Sequence, residues 1–108
     1  MTTSKQTLGE FEHQVLLTAL RLGPATYSVP IVVELEARIR REVAAAAVYI
    51  SLRRLEEKGL VASEMRRDEE EGGRSRRYFR VTDEGTRVLR EAKRRFVQLW
   101  DGLDPQLG

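Results

Sequence analysis

Apolar residues recur along this chain at two periods, and the places where the period changes divide it into elements. Phe11, Val15, Leu16, Ala19 and Leu20 fall at helical spacing, which predicts a helix with one apolar face from about Leu8 to Leu22. Thr7, with Glu10 three residues on, forms a capping box at its start, and Gly23-Pro24 ends it. A second helix is predicted after Ser28 as N-cap, with Pro30 in its first turn and Ile31, Val32, Leu35 and Ile39 as its apolar side. A strand competes for residues 29–35, because Val and Ile suit strands; continuation through Glu34-Leu35-Glu36-Ala37-Arg38 favours helix. Past the turn Arg40-Arg41-Glu42, a third helix is predicted from Val43 to Lys58, with Gly59 as a left-handed stop. Val48, Leu52 and Leu55 lie in one narrow arc and should face the core, leaving Ala46, Tyr49, Ile50, Arg53 and Arg54 on the opposite side.

The period then drops to two. Strands are expected near Leu60–Met65 and Arg76–Val81, around a charged turn, Asp68-Glu69-Glu70-Glu71-Gly72-Gly73-Arg74-Ser75. In the second strand Tyr78 and Arg80 share one face, Phe79 and Val81 the other. Thr82 should cap a fourth helix, with Asp83 and Glu84 complementing its dipole. Leu89, Ala92, Phe96, Leu99 and Leu103 follow at spacings of 3, 4, 3 and 4, those of a coiled-coil seam. A helix followed at once by a small basic hairpin is the order of a winged helix-turn-helix. The expected fold is mainly α with one small β-hairpin: residues 1–82 form the winged helix-turn-helix, and residues 83–108 a C-terminal dimerisation helix and tail in the same structural unit. No internal repeat or linker suggests a second domain.

Composition narrows the function. At 41% apolar and 33% charged, 108 residues suit one globular domain with a modest core. No apolar run approaches the roughly 20 residues of a membrane helix, and Met1–Thr7 lacks an apolar signal region. Cysteine is absent, which fits a reducing cytoplasm. The net charge is only +2, but residues 74–95 carry nine basic and three acidic groups, whereas residues 1–73 carry ten and twelve. A local basic patch is what phosphate binding requires. Arg74, Arg76 and Arg77, beside a Gly-Gly tip, point to phosphate contact; the basic residues of the last helix read equally as a solvated face.

Enzyme chemistry finds no footing. His13 has no partner at metal spacing, and no nucleophile stands beside a base in a known motif. Gly72-Gly73 is a turn and lacks the context of a phosphate-binding loop. Neither a cofactor nor a metal is expected.

Four segments, in order, resemble the PadR-like transcriptional regulators. Leu8-Gly9-Glu10-Phe11-Glu12 with Val15-Leu16, and Tyr27-Ser28-Val29-Pro30-Ile31, look like the family's opening helices. Ala47 through Val61 looks like its recognition helix, and Gly72 through Gly85 like its wing and the start of its last helix. The resemblance covers about residues 8–100 and is nearest to the short subgroup with one C-terminal helix. It implies a repressor that dimerises through that helix and binds a palindromic operator. The third helix would enter the major groove with Tyr49 near the backbone, and Arg74, Arg76 and Arg77 would run along the minor groove. It also implies that an aromatic effector, which releases DNA in some members, is one of the partners to consider. The chain departs from the pattern in three places. Ala44-Ala45-Ala46 replaces a Ser cap, Ile50-Ser51 replaces a polar pair, and the wing turn carries four consecutive acids.

The candidate DNA-binding residues are therefore Ala46, Tyr49, Ile50, Arg53, Arg54, Arg74, Arg76 and Arg77. Arg53 suits bidentate contact to guanine; Ala46 and Ile50 suit only apolar surface such as a thymine methyl. Phosphate contacts and DNA shape should therefore carry much of the binding. Phe11, Leu89, Phe96, Leu99 and Trp100 are the candidate dimer interface, although the fourth-helix seam also suits packing on the first helix of the same chain. Trp100 has two readings, a stacking ring for an aromatic ligand and a plain dimer-core residue. A winged-helix protein-interaction module that does not bind DNA specifically is the competing function. The apolar start of the third helix and the acidic wing speak for it.

Overall fold

The computed structural model describes residues 8–103, and for Asp68 and Glu71 the backbone alone. Three helices come first: α1 (Glu10–Arg21), α2 (Ser28–Ile39) and α3 (Ala45–Glu57). A hairpin of β1 (Val61–Asp68) and β2 (Arg74–Val81) follows, joined through a single 3-10 turn over Glu69–Glu71, and α4 (Asp83–Trp100) closes the order. The chain is thus mainly helical with one two-stranded antiparallel sheet.

One core serves all of these elements. Val15 and Leu16 of α1, Ile31 and Leu35 of α2, and Val48, Leu52 and Leu55 of α3 are buried together with Leu60, Val61, Phe79, Val88 and Leu89. The arc expected on α3 is the arc that is buried. Residues 29–35 are helical, which settles the competition with a strand: Ile31 and Leu35 reach the core while Val33, midway between them, is 62% exposed, whereas a period of two would turn all three the same way.

The helix ends differ from expectation in instructive ways. α1 begins at Glu10 with Gly9 as its N-cap, so no side chain caps it; Thr7, assigned to a capping box, lies outside the described residues. α2 includes Ser28, and its N-cap is Tyr27, one residue earlier than expected and again without a side-chain cap. α3 starts at Ala45 rather than Val43, capped by Ala44, which has no side chain to accept an amide. Glu36 of α2 accepts from the Val43 N–H at 2.9 Å, which ties the residue before this N-cap to the neighbouring helix. The C-terminus of α3 is a Schellman motif. Gly59 adopts φ +79°, its N–H reaches the Glu56 carbonyl, and the Leu60 N–H reaches that of Leu55, each at 2.9 Å.

The strands are longer than the apolar pattern indicated. They pair from Val61↔Val81 out to Asp68↔Arg74, so Arg66, Arg67, Arg74 and Ser75, expected in or beside the turn, belong to the ladder. The reversal is confined to residues 69–73, where Gly72 and Gly73 both adopt φ +77°. Charged side chains gave no strand signal, but backbone pairing needs none from them. Thr26 adds a bridge on the free edge of β2: its N–H donates to the Phe79 carbonyl at 2.9 Å and its carbonyl accepts from the Phe79 N–H at 2.7 Å. The hairpin is thereby tied to the segment before α2.

Thr82 caps α4 as expected, its hydroxyl oxygen accepting from the Gly85 N–H at 3.0 Å and donating to the Gly59 carbonyl at 2.8 Å. The coiled-coil seam, however, is split. Leu89 and Ala92 are buried against the domain, whereas Phe96 and Leu99 are exposed and Leu103 lies beyond the helix. The first half of α4 packs on its own chain, and from Lys93 onward the helix stands clear of it.

Candidate nucleic-acid interface

The exposed face of α3 carries Ala46, Tyr49, Ile50, Arg53 and Arg54, all open to solvent; Tyr49 is 38% and Ile50 50% exposed. These are the residues assigned to it from the sequence. Burial of Val48, Leu52 and Leu55 on the other side forces that outcome, because 3.6 residues per turn leave only this stripe outward.

Tyr49 anchors the stripe to the hairpin. Its ring meets Phe79 of β2 edge-on, with centroids 6.1 Å apart. Its hydroxyl accepts from Arg53 Nη1 at 3.2 Å, one turn further along α3. That hydrogen bond, with the positive charges of Arg53 and Arg77, lowers the Tyr49 pKa despite the opposing effect of burial. Arg53 in turn is raised, first by the same hydrogen bond. A guanidinium of α3 and one of the hairpin thus flank a single phenol.

The three wing arginines do not act as one group. The register puts Arg74 and Arg76 on one face of the hairpin, with Arg66, Tyr78 and Arg80, and puts Arg77 on the other, with Phe79 and Ser63. Arg76 is stacked over Tyr27 at 4.1 Å, and Tyr27 meets Tyr78 edge-on at 5.4 Å. Arg66 lies over the opposite side of this cluster, 4.8 Å from the Tyr78 centroid, and pairs with Glu64 at 2.8 Å. Arg77 donates to Ser63 Oγ at 2.9 Å and faces α3. Sequence spacing placed all three arginines at the wing; only the alternation of the strand divides them. Arg66 and Arg67 were missed because they fell between the first strand, drawn to Met65, and the turn that begins at Asp68.

The acidic tip is partly neutralised from within. Glu69 pairs with Arg67 at 3.3 Å, and the Arg67 guanidinium lies across the bend at Gly73, 3.0 Å from where a Cβ would stand. Four consecutive acids therefore do not present four uncompensated charges.

A second exposed region involves α1 and α4. Between α1 and the free half of α4 runs an open cleft of about 980 Å³, lined by His13, Leu17, Leu20, Leu89, Phe96, Val97 and Trp100 among others. Phe96 and Val97 are each 57% exposed and Leu99 70%. Of the residues assigned to a dimer interface, Phe96 and Trp100 line the cleft, and Leu99 is exposed on the same half of α4 without lining it. Phe11 is half-buried against the core and Leu89 is inside it, because the first turns of α4 lie on the domain. Leu17, Leu20 and Val97 belong to the same surface and were not singled out. Burial, and then the charge of Arg95, hold the pKa of His13 below its ordinary value. Among the described residues no cluster of three metal-ligating side chains occurs, and no helix is long and apolar enough to cross a membrane.

Comparison with known proteins agrees with this arrangement. A sequence model of the transcriptional regulator PadR-like family matches residues 16–91. The chain is similar to a PadR family transcriptional regulator from Eggerthella lenta DSM 2243, with 36% identity, a TM-score of 0.68, and coverage of 86% of this chain and 80% of that one. It is similar to a PadR family transcription regulator from Clostridium difficile R20291 at 25% identity, with a TM-score of 0.65 and coverage of 89% and 98%. It is also similar to hsRosR-S1 in a complex structure, at 25% identity, with a TM-score of 0.72 and coverage of 92% and 81%. No curated protein matches the chain.

Proposed function

The chain belongs to the PadR-like family of transcriptional regulators, and on that footing we propose that it is a dimeric, cytoplasmic repressor reading a palindromic operator. The observation that carries this reading is the meeting of α3 and the hairpin at Tyr49: an exposed helix face and a basic strand converge on one edge of the molecule. A major groove about 12 Å wide admits such a helix. Arg53 would read a guanine edge, Ala46 and Ile50 would meet thymine methyls, and Arg54 would approach the backbone. Arg77, beside α3, would grip phosphate at the groove edge, and Arg74 and Arg76 would follow the backbone toward the minor groove. Residues 1–82 would thus supply the DNA-binding part and residues 83–108 the dimer contact.

The dimer rests on the free half of α4. Phe96, Val97, Leu99 and Trp100 form an apolar strip that the other described residues leave exposed. A second copy laid antiparallel on it would close the cleft and place two α3 helices on one side. An aromatic effector entering that cleft would stack on Trp100. A protein-interaction module is the second reading, favoured by the exposed valines of α2, Val29 and Val33, which no DNA contact requires.

Footprinting on the duplex that the protein enriches most from fragmented genomic DNA distinguishes the readings. The repressor reading expects two protected half-sites about 10 base pairs apart, or a multiple of one helical turn, at a stoichiometry of two chains per duplex. A single unsymmetrical footprint, or none, would contradict it.

A further inference from the structure

The contact between α3 and the hairpin contains an acid where a phosphate-binding surface should not want one. Glu56 follows Tyr49 and Arg53 along one stripe of α3, at spacings of four and three, and points at β1. Its Oε2 accepts from Ser63 Oγ at 2.6 Å. Ser63 Oγ in turn accepts from Arg77 Nη1 at 2.9 Å. Its Oε1, buried and without a hydrogen bond, faces Arg53 Nε at 3.4 Å, an ionic contact. Arg53 closes the loop on the Tyr49 hydroxyl. One carboxylate therefore holds a guanidinium of the recognition helix directly and a guanidinium of the wing through a hydroxyl.

We propose that Glu56 is a positioning residue for DNA recognition: with Ser63 as its relay it fixes Arg53 and Arg77 on either side of Tyr49, so that recognition helix and wing engage the duplex as one preset unit. The proposal rests on the DNA-binding reading above. Its physical ground is entropy. Arginine loses much rotamer freedom when ordered, and a contact whose side chain is already held loses less on binding. The polarity of the relay is unambiguous. A serine hydroxyl has one proton, which it gives to the carboxylate, leaving its lone pairs to accept from Arg77. The carboxylate also opposes binding, since it repels phosphate. That repulsion acts on every duplex alike, because phosphates carry no sequence. The ratio of affinities for operator and scrambled duplex removes it and leaves the positioning effect.

The test measures that ratio for wild type, Glu56→Gln, Ser63→Ala, Ser63→Thr and Glu57→Gln. The probes are the duplex most enriched from genomic DNA by the wild type and a scrambled duplex of the same composition. Glu57 is exposed one residue away; its charge also reaches Arg53, but the hydrogen bonds of the relay run through Glu56, so Glu57→Gln removes the same charge and leaves those bonds in place. Glu57→Gln should tighten both duplexes equally. Glu56→Gln should lower the ratio about tenfold, the discrimination that one well-placed base contact supplies. Ser63→Ala releases Glu56 Oε2, and with it the carboxylate that holds the base-reading Arg53, so it should lower the ratio in the same direction, and Ser63→Thr, which keeps the hydroxyl, should restore it. Should Glu56→Gln fail to fold, the Ser63 pair decides. A ratio unchanged in Glu56→Gln or Ser63→Ala would overturn the proposal while leaving DNA binding in place. A wild type that does not separate the two duplexes would overturn the DNA-binding reading itself, and the proposal with it.

Discussion

Arg53 and Arg74 occupy the two ends of the candidate interface and should fail in different ways when removed. Arg53 lies on the exposed stripe of α3, beside the groove-reading positions. Arg53→Ala should weaken operator binding by about 1–3 kcal/mol and relax discrimination at one base pair. Arg74 stands at the outer end of β2, next to the turn. Arg74→Ala should weaken binding to all duplexes alike and reduce the slope of log affinity against log salt by about one. Titrations at several salt concentrations check both. Equal losses on operator and scrambled duplex for Arg53→Ala would remove it from base reading. The outward stripe of α3 was legible in the sequence because three buried aliphatics fix where a helix turns its back. The grouping of the wing arginines was not. Arg74, Arg76 and Arg77 are neighbours in sequence, but a strand sends alternate residues to opposite faces, and only the register shows that Arg77 alone looks toward α3. Ser63 and Glu56 were invisible for a related reason: seven residues separate them in the chain, and a Schellman turn brings them to 2.6 Å.

At the scale of elements, the junction of hairpin and α4 tolerates little change. A Cβ at Gly85 would meet the Leu60 carbonyl oxygen at 2.2 Å and Val81 Cγ1 at 2.8 Å. Gly85→Ala should therefore destabilise the fold by about 1–3 kcal/mol, measured by denaturant unfolding, because backbone must move to admit one methyl group. The packing of α1 on α4 has a pH signature. His13 has a folded pKa below 6.5, so below that pH the unfolded chain takes up the proton first and stability falls. The loss in melting temperature from about pH 7.5 to about pH 5.5 should be smaller in His13→Gln than in wild type. An equal loss would mean that His13 is as solvated when folded as when unfolded. Element order and type were readable from period alone, and so was the Thr82 cap. The ends were less so. A side-chain cap on α2 was expected where none occurs, and the entry to α3 is held by Glu36 of another helix at the Val43 N–H, a tertiary contact that no local pattern announces. The strands were drawn short because Arg66, Arg67 and Arg74 carry no strand propensity, yet backbone pairing extends through them.

At the scale of the molecule, two exposed surfaces share one small core, the edge where α3 meets the hairpin and the cleft between α1 and α4. The seam of α4 was visible as a spacing, but its division was not. Leu89 and Ala92 complete the core of their own chain, and the strip beyond Lys93 is exposed. A domain of this size cannot fold back far enough to cover both halves of an 18-residue helix. Leu99→Asp, placing a charge on the most exposed leucine of that strip, should give a monomer in sedimentation velocity with an unchanged helical spectrum. A surviving dimer would move the interface elsewhere. The same variant should bind one half-site weakly, since a palindrome is held by two linked subunits.

On the proposed function, the edge where α3 meets the hairpin binds DNA by sequence as well as by charge. The affinity of the wild type for its most enriched genomic duplex and for a scrambled duplex, measured across a range of salt, tests this. Both affinities should fall steeply as salt rises, through release of phosphate counterions, and the enriched duplex should bind more tightly at every salt concentration. Affinities that are equal for the two duplexes, or that do not respond to salt, would contradict it.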